Sequence, residues 1–502
     1  MKNKPNIIDK TIAMFNPRAA VERLAWRREF LRTYDAGSLS GTNSGWTPVN
    51  APAEVLNQSQ RDMLRARARD LERNADIAES ILLAFERNAI GKGLRVQAKP
   101  LNKDGVEDDI LAKEMEKVFA SWCKKDNCDI TGESDFVEIQ KMIVRRMIVD
   151  GGILLVESVN PYDKTAIPYI LQMREVDEID GNRTSYQMNA DGNRIVNGIE
   201  LNQYNKPVAF WLKKITPDGL QIGDSERISA ERVFYLRKKQ RPSQIREVSK
   251  LASTANKIRD INEFSEAISI KERVLACLSV FIKKAVPMGG VGRNGFASSS
   301  NKDKDTGFEN ATLAPGIVQE LAPGDDIATV NPAGQASNAK EFITSQQRLV
   351  SAGTGLSYEA VSRDMSQVNY SSARQALIED FKTYEDTQEF LKKHFLKRVY
   401  EQVITNAVLA GKLSIPDFFE HKDRYLNHSW IAPGMSWIDP NREINANKTA
   451  LESNQTTLAN ICSGNGLDWR EVIRQRATEQ EYISKYMQKL ENENADKTTT
   501  NE

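Results

Sequence analysis

Residues that could carry out chemistry are few in this sequence, and their spacing does not assemble a catalytic or metal site. The chain of 502 residues contains three histidines and four cysteines. Cys123 and Cys128 have four residues between them, and no second cysteine pair completes a zinc site. The histidines lack H-E-x-x-H spacing, and we interpret His394, on a predicted helix, as an ordinary surface or packing residue. Metal-dependent hydrolysis is therefore not predicted.

Signatures of nucleotide binding and of a catalytic nucleophile are absent or out of context. Residues Gly290 to Gly295 fit G-x-G-x-x-G, but they follow a predicted helix and lead into a polar stretch, whereas a dinucleotide site needs this turn between a strand and a helix. Neither the pattern G-x-x-x-x-G-K-[ST] nor the G-x-S-x-G elbow occurs. Carboxylate pairs such as Asp108-Asp109 lie in polar loops without a neighbour that would separate their pKa values. We expect neither enzymatic activity nor a cofactor.

Composition and charge are typical of a folded protein with balanced charge. The chain has 69 basic and 69 acidic residues, a net charge of zero, and 40% apolar residues, which is enough to build hydrophobic cores. Proteins that grip phosphates carry a basic surplus, so the balance argues against a strong nucleic-acid binder. The longest apolar run, Val274 to Ile282, is shorter than the roughly 18 residues that a membrane span needs. The N-terminus resembles no signal peptide, and we expect an unexported, soluble protein.

A long amphipathic helix is the first large element that the sequence predicts. Ser59 is the predicted N-cap, with Asp62 three residues later, and Gly91 is the predicted end. Apolar residues repeat at steps of three and four along one face between these ends. The opposite face is rich in arginine, and we interpret it as a solvated surface paired with nearby carboxylates. Its arginines are Arg65, Arg67, Arg69 and Arg73, and the carboxylates are Asp62, Asp70, Glu72 and Asp76.

An antiparallel β region is inserted into this otherwise helical sequence. Short β-type runs are separated by turn signals such as Asp191-Gly192 and Asp218-Gly219. The predicted strands are 152–159, 168–173, 198–201, 208–212 and 232–236. The predicted fold class is therefore α+β, mainly helical with an inserted antiparallel β region.

Two helices that bracket a polar segment follow the β region. They are predicted at 248–282 and from Asn338 to Gly353, and the segment between them is rich in glycine, serine, asparagine and charge. A helix pair whose connection is a small subdomain projects from a body as an arm. Such arms gain stability when copies pack side by side, which favours a ring.

The longest predicted helix lies near the C-terminal end of the body. A capping box of Ser372 and Gln375 is its predicted start, and Gly411 is its predicted end. Further helices with breaks are predicted up to about residue 490, and the polar tail 491–502 is predicted to be disordered.

Several short motifs in this order resemble the lambda family of phage portal proteins, from about residue 20 to about residue 450. They are the arginine-rich stretch Leu64–Asn74, Asn88–Gly93, Arg241–Arg246, Leu321–Gly324, Gly355–Glu359, Asn369–Arg374 and Trp437–Pro440 with Glu443. Two positions depart from the family pattern, because Ser243 and Glu247 stand where glycine is usual. We expect the turn there to differ and the acidic Glu247 to alter the contact that this loop makes.

The resemblance implies a structural ring, usually of twelve subunits, at one vertex of a phage capsid. It implies that double-stranded DNA passes through the channel during packaging and ejection, and that terminase and head-completion or adaptor proteins dock on the ring. Major capsid and scaffold proteins are further implied partners, no membrane is involved, and the ring is assembled in the host cytoplasm before it becomes part of the virion. The alternatives are another ring-forming structural or adaptor protein of the virion, or a capsid-maturation enzyme.

The family's parts map onto the chain in sequence order. They are an N-terminal arm, partly flexible (1–55), the wing (56–247), a stem helix (248–283), the clip (284–336), a second stem helix (337–354), the tunnel-loop segment (355–371), a long wing helix (372–412), the crown (413–490) and the tail (491–502).

The resemblance also suggests which residues line or join the channel. Our hypothesis for the constriction is four small polar or apolar residues without positive charge: Met365, Ser366, Gln367 and Val368. The alternative is that they form a buried connector. Arg363 and Asp364 are candidates for pairing between subunits. In the clip, Lys302 and Lys304 are candidates for contact with an acidic motor surface, and the alternative is a solvated, mobile loop.

Overall fold

The computed structural model describes residues 7–30, 44–162, 167–216, 218–277, 339–434 and 440–499. The chain divides into two compact units, 1–56 and 57–502. In the first unit, helix α1 (Ile7–Phe15) packs against α2 (Pro17–Phe30). No helix in the described ranges is long and apolar enough to cross a membrane. The Gly/Ser/Asn-rich segment with Lys302 and Lys304 lies outside these ranges.

The remaining elements mix helices with short antiparallel strands, as the predicted fold class requires. The helices are α3 (Ala53–Gln58), α4 (Arg61–Asn74), α5 (Asp76–Phe85), α6 (Asp109–Trp122), α7 (Lys125–Cys128), α8 (Phe136–Val149), α9 (Ala255–Cys277), α10 (Ala339–Thr354), α11 (Tyr358–Ser362), α12 (Tyr370–Leu391), α13 (Lys397–Leu409), α14 (Lys422–Tyr425), α15 (Pro440–Glu452), α16 (Leu458–Gly464) and α17 (Trp469–Thr499). The strands are β1 (Arg95–Ala98), β2 (Gly152–Val159), β3 (Tyr169–Arg174), β4 (Arg194–Val196), β5 (Ile199–Leu201), β6 (Pro207–Leu212), β7 (Glu226–Ser229), β8 (Val233–Arg237) and β9 (His428–Ile431).

The single helix predicted between Ser59 and Gly91 is two helices, so its continuity was predicted wrongly. Ala75 has φ −122° and ψ 111°, an extended conformation that ends α4 before Asp76 opens α5. The N-cap is Gln60 rather than Ser59. After α5, a π-helical turn of five residues runs to the position before Gly91, which ends the element as predicted.

The β region forms two antiparallel sheets, and a third pairs distant strands. β2 is the central strand of the order β3-β2-β8, while β4, β5, β6 and β7 form a meander. The five predicted strands are confirmed within one residue at each end. β1 pairs with β9 in antiparallel register, Arg95 opposite Ile431, a pair that no sequence pattern predicted.

A core rich in aromatic residues joins the β3-β2-β8 sheet to the helices. The Trp122 indole is buried and donates a 2.7 Å hydrogen bond to the carbonyl of Tyr169 on β3. The ring of Phe119 on α6 packs edge-on against Tyr400 on α13, with 5.5 Å between centroids. Phe395 packs edge-on against Phe234 of β8 at 5.2 Å. Buried aromatic pairs of this geometry add to area burial by about 0.5–1.5 kcal/mol each.

The second half contains the predicted helix pair and the longest helix. α9 packs against α10, with the Phe264 and Phe342 rings 4.7 Å apart between centroids. α12, a π-helical turn (Lys392–Leu396) and α13 form one continuous helix that ends before Gly411, as predicted. Its N-cap is Asn369 instead of the predicted Ser372, because the Asn369 side chain accepts a 2.8 Å hydrogen bond from the backbone N–H of Ser372.

The C-terminal helix is longer than the sequence predicts. α17 continues to Thr499, into the stretch 491–502 for which a disordered tail is predicted. Exposed pairs four residues apart support this polar helix, such as Lys485 with Glu481 at 2.7 Å.

The backbone at Gly151, just before β2, packs closely against the backbone at Val248. Gly151 has φ +87°, and a Cβ there would lie 2.4 Å from the carbonyl carbon and oxygen of Val248. Gly151→Ala should therefore lower the free energy of unfolding by about 2 kcal/mol or more beyond the backbone cost alone. Gly192→Ala is the matched control, since Gly192 also has positive φ (+75°) but no atom near the added Cβ, and should cost about 1 kcal/mol. Equal losses of stability in urea unfolding would contradict this packing.

Candidate channel segment and the ion network behind it

The tunnel-loop segment, residues 355–371, connects α10 to α12. It contains the short helix α11, capped by the Ser357 side chain, which accepts from the backbone N–H of Ala360. Arg363 ends α11 with φ +60°, a left-handed conformation that turns the chain away from the helix axis. The residues from Arg363 to Asn369 then form a turn that leads into α12.

The base of this segment is fixed to α12. The backbone N–H and the hydroxyl of Ser357 each donate a 2.6 Å hydrogen bond to the Asp380 carboxylate, which is buried. Thr383 donates from its hydroxyl to the carbonyl of Gly355 at 2.7 Å. Burial raises the pKa of Asp380, and the hydrogen bonds from Ser357 offset part of that shift. Leu356 and Val361 are buried as well, so the base is held by both polar and apolar contacts.

The tip of the segment is exposed in the single chain. Met365 is 62% exposed, Ser366 and Gln367 are exposed, and Val368 is half-buried. This exposure does not fit the alternative of a connector buried within the subunit. A channel constriction by these four residues requires such exposure and stays a prediction.

Arg363 and Asp364 differ in the hydrogen bonds and ion pairs that their side chains form within the subunit. Asp364 accepts a 2.9 Å hydrogen bond from the backbone N–H of Ser366 and a 3.4 Å bond from the Tyr358 hydroxyl. The hydrogen bonds from Ser366 hold the pKa of the Asp364 carboxyl below its usual range. Arg363 is exposed, and in the described part of the chain it forms no ion pair. Pairing of either residue between subunits stays a prediction.

A largely buried ion network, which no sequence pattern predicted, lies where the β region meets the start of α9. We define the network as Arg65, Arg69, Asp150, Asp177, Arg246 and Glu247. Asp177 bridges the two arginines of α4, at 3.0 Å from Arg65 and 2.6 Å from Arg69. Arg69 also pairs with the buried Asp150 at 2.7 Å. The interpretation of the α4 arginine face as solvated is therefore wrong for Arg65 and Arg69. Two of the carboxylates predicted to pair with this face do so, Asp62 with Arg65 and Asp70 with Arg73.

Glu247 is the most enclosed member of the network. Its carboxylate is fully buried and accepts from Arg65 at 3.0 Å, from Arg246 at 2.9 Å and from the Tyr235 hydroxyl. Arg246 in turn donates to the carbonyls of Asn197 and Val176 at 3.2 and 3.0 Å. The acidic side chain of Glu247 turns inward and pairs with two buried guanidinium groups, and the expectation that it alters the contact of this loop stays a prediction.

The charge of Glu247 is fixed by these partners. Burial alone raises the pKa of its carboxyl, but the charge of Arg246 and hydrogen bonds from Arg246 and Tyr235 outweigh burial and lower it to about 2. The network thus ties α4, the end of α8, the segment before the meander and the loop that leads into α9.

Glu247→Gln tests whether this carboxylate holds the junction together. Removing one partner of a buried ion pair leaves uncompensated charge, so the free energy of unfolding should fall by about 3 kcal/mol at pH 7. Because the folded pKa lies below the ordinary value of 4.5, the difference from wild type should be complete above pH 4.5 and should disappear as the pH falls toward 2. Urea unfolding across this pH range provides the measurement.

Glu263→Gln is the matched control for the Glu247 variant. Glu263 forms an exposed ion pair with Arg259 at 3.3 Å, so its loss should cost less than about 1 kcal/mol. Comparable losses in the two variants, or a loss at Glu247 that does not change with pH, would refute the role of the network.

Comparison with known proteins places the chain in a family. It is 26% identical over 455 residues to a probable portal protein of Halomonas phage phiHAP-1, a match that covers 88% of this chain and 85% of that protein. It is 21% identical over 480 residues to the portal protein of Escherichia phage N15, covering 88% of each. A chain from the virion of a native gene transfer agent particle aligns with a TM-score of 0.37 and 12% identity, over 84% of this chain and 95% of that chain, and a score this low does not establish a shared fold. The family described as phage portal protein, lambda family, matches residues 40–388, and the chain belongs to that family.

Proposed function

We propose that this chain is the portal subunit of a phage: it forms a ring at one capsid vertex, and double-stranded DNA passes through the ring during packaging and ejection. The observation that carries the proposal is the family match over residues 40–388, which includes strands β1 to β8, both helices of the α9–α10 pair and the tunnel-loop segment. The relatives that align over most of their length carry the same description, portal protein. The role is structural, and the ring is a component of the virion.

The parts of the subunit follow the boundaries given above. The wing is residues 56–247 together with 372–412, and the stem is formed by 248–283 and 337–354. Packing of α9 against α10 through Phe264 and Phe342 supports their pairing in one stem. The segment 284–336 is the clip, with Lys302 and Lys304 directed to terminase and later to head-completion proteins, and residues 413–490 are the crown. Contacts with major capsid and scaffold proteins belong to the outer surface of the ring.

The tunnel-loop segment suits a channel that DNA must slide through. Each phosphate that a protein neutralises adds affinity through counterion release, so a strongly basic constriction would slow translocation. Residues 355–371 contain Arg363 as their one basic side chain and two carboxylates, Glu359 and Asp364. The exposed tip has no charge from Met365 to Val368, while its base is fixed by Asp380.

Electron-microscopic imaging of the purified protein tests the proposal directly. We expect rings with a central opening wide enough for duplex DNA. A monomer, or a closed assembly without a channel, would rule the portal function out. A ring whose opening is too narrow or too wide for a single duplex would favour an adaptor role.

A charge introduced at the tip tests the constriction. Gln367→Lys should add a phosphate contact, so translocation through the ring should slow by about threefold at low salt, and the effect should decline between about 50 and 200 mM salt. Gln187→Lys, at an exposed position in a loop of the β region, is the control and should leave the rate unchanged. Single-molecule packaging measurements give both rates, and equal rates in the two variants would remove Gln367 from the channel wall.

A further inference from the structure

Two adjoining cavities flank the ion pair between Lys238 and Asp386, where the chain leaves β8 beside α12. They have volumes of about 380 and 580 Å³, and Lys238, Lys239 and Asp386 line both. We call them together the basic cleft.

The basic cleft concentrates positive charge in a protein that has no net charge. Two carboxylates, Asp386 and Glu389, line it together with six basic side chains. The basic side chains are Arg237, Lys238, Lys239, Lys250, Lys393 and Arg398. Arg398 is neutralised by Glu157 at 2.5 Å, and Lys238 by Asp386. The remaining basic groups exceed the acidic ones, so the cleft should attract an anionic group.

Lys250 is the basic residue most in need of a counter-ion. Its ammonium lies 4.3 Å from the centroid of the Phe85 ring, and among the residues that the structure describes it forms no ion pair. Burial lowers the pKa of Lys250 to about 8, nearby Lys238 adds to the shift, and Asp386 offsets part of it. A half-buried ammonium without a carboxylate partner is destabilising, and an entering anion would offset part of that cost.

A second basic group, Arg237 at the end of β8, is only partly satisfied. One terminal nitrogen of Arg237, Nη1, is buried and has no hydrogen-bond acceptor in the described part of the chain. Its guanidinium lies 5.0 Å from the Tyr235 ring centroid. Arg237 lines the larger cavity, so its charge adds to the attraction of the cleft for an anionic ligand.

The walls of the cleft favour a polypeptide over DNA. Apolar side chains line the smaller cavity around Lys250: Phe85, Val144, Met147, Ile148 and Val248. A duplex presents its phosphates in close succession, about one per 1.7 Å of helix axis, without an apolar group that could fill such walls. A protein segment with an aliphatic residue beside a carboxylate can pack against the apolar walls and also pair with the Lys250 ammonium.

The chain itself has exposed segments of this kind. Around the start of α6, Val106 and Ile110 are 61% and 75% exposed among several acidic residues, of which Glu107 and Asp109 pair with Arg470. The loop at 218–226 has the same character, with Leu220 and Ile222 exposed. In a closed ring, each subunit presents one surface to a different surface of the next, so a complementary segment of the neighbour can meet every cleft.

We propose that the basic cleft receives an acidic segment of a neighbouring copy of this chain, with an aliphatic side chain in the apolar cavity and a carboxylate paired with Lys250. This inference rests on the proposed function, because the ring supplies the neighbour. It assigns the cleft as a contact that joins adjacent subunits.

Carbodiimide cross-linking of mixed rings tests the contact, because this reagent joins amines to carboxylates that are already in contact. Isotopically heavy and light chains are mixed before assembly, and rings are confirmed by imaging before they are cross-linked and digested. We expect heavy-to-light peptides that join Lys250 or Lys239 to an acidic residue of the other chain. Rings that give only links within one chain, such as Lys238 to Asp386, would overturn this inference and leave the portal proposal intact. Absence of rings would overturn both.

Two variants and a competition with duplex DNA provide further tests of the contact. Lys250→Met keeps most of the length of the side chain and removes its charge, and should raise the protein concentration needed for half-maximal ring assembly about tenfold. Lys412→Met, at an exposed lysine outside the cleft, should leave assembly unchanged. If duplex DNA added to mixed rings protects Lys250 from acetylation while the heavy-to-light links are missing, the cleft binds nucleic acid and the neighbour contact is wrong.

Discussion

A fully buried carboxylate sets the geometry of the junction on which the rest of the body depends. Glu247 can stay charged in the interior only because Arg65 and Arg246 lie within 3.0 Å of it. Arg65 comes from α4 and Arg246 from the loop before α9. Asp177, in the β region, also pairs with Arg65. Movement of any one of these elements would leave a charge without a partner. The junction is therefore a single unit from which α9 extends.

The long helix formed by α12 and α13 connects the other features. Near its start, Asp380 and Thr383 hold the base of the tunnel-loop segment. Asp386, less than two turns later, pairs with Lys238 at the basic cleft. Phe395 and Tyr400 then pack into the aromatic core. One element thus positions the candidate channel segment, the candidate subunit contact and the core.

Sequence patterns were sufficient to predict those elements whose conformation is determined by local interactions. The five predicted strands rest on short β-type runs between turn residues, and they are confirmed. The break at Ala75 carries no glycine or proline signal. Alanine favours helix, so its extended conformation here could not be read from its residue type. The pairing of Arg65 with Glu247 joins residues 182 positions apart, so the pattern around Arg65 could only suggest nearby carboxylates. The pairing of β1 with β9 was missed for the same reason.

The π-helical turn at Lys392–Leu396 changes the direction in which the second half of the long helix presents its side chains. A π turn inserts one residue into an α-helix, which rotates everything beyond it by about 100° relative to an uninterrupted helix. The helix runs about 60 Å without a break in its backbone, at 1.5 Å per residue. It is thus one continuous helix with a rotational offset near its middle, and the face that holds the tunnel-loop segment differs from the face that enters the aromatic core. Such a helix couples the positions of the tunnel-loop segment and the aromatic core, while the faces that contact them point in different directions.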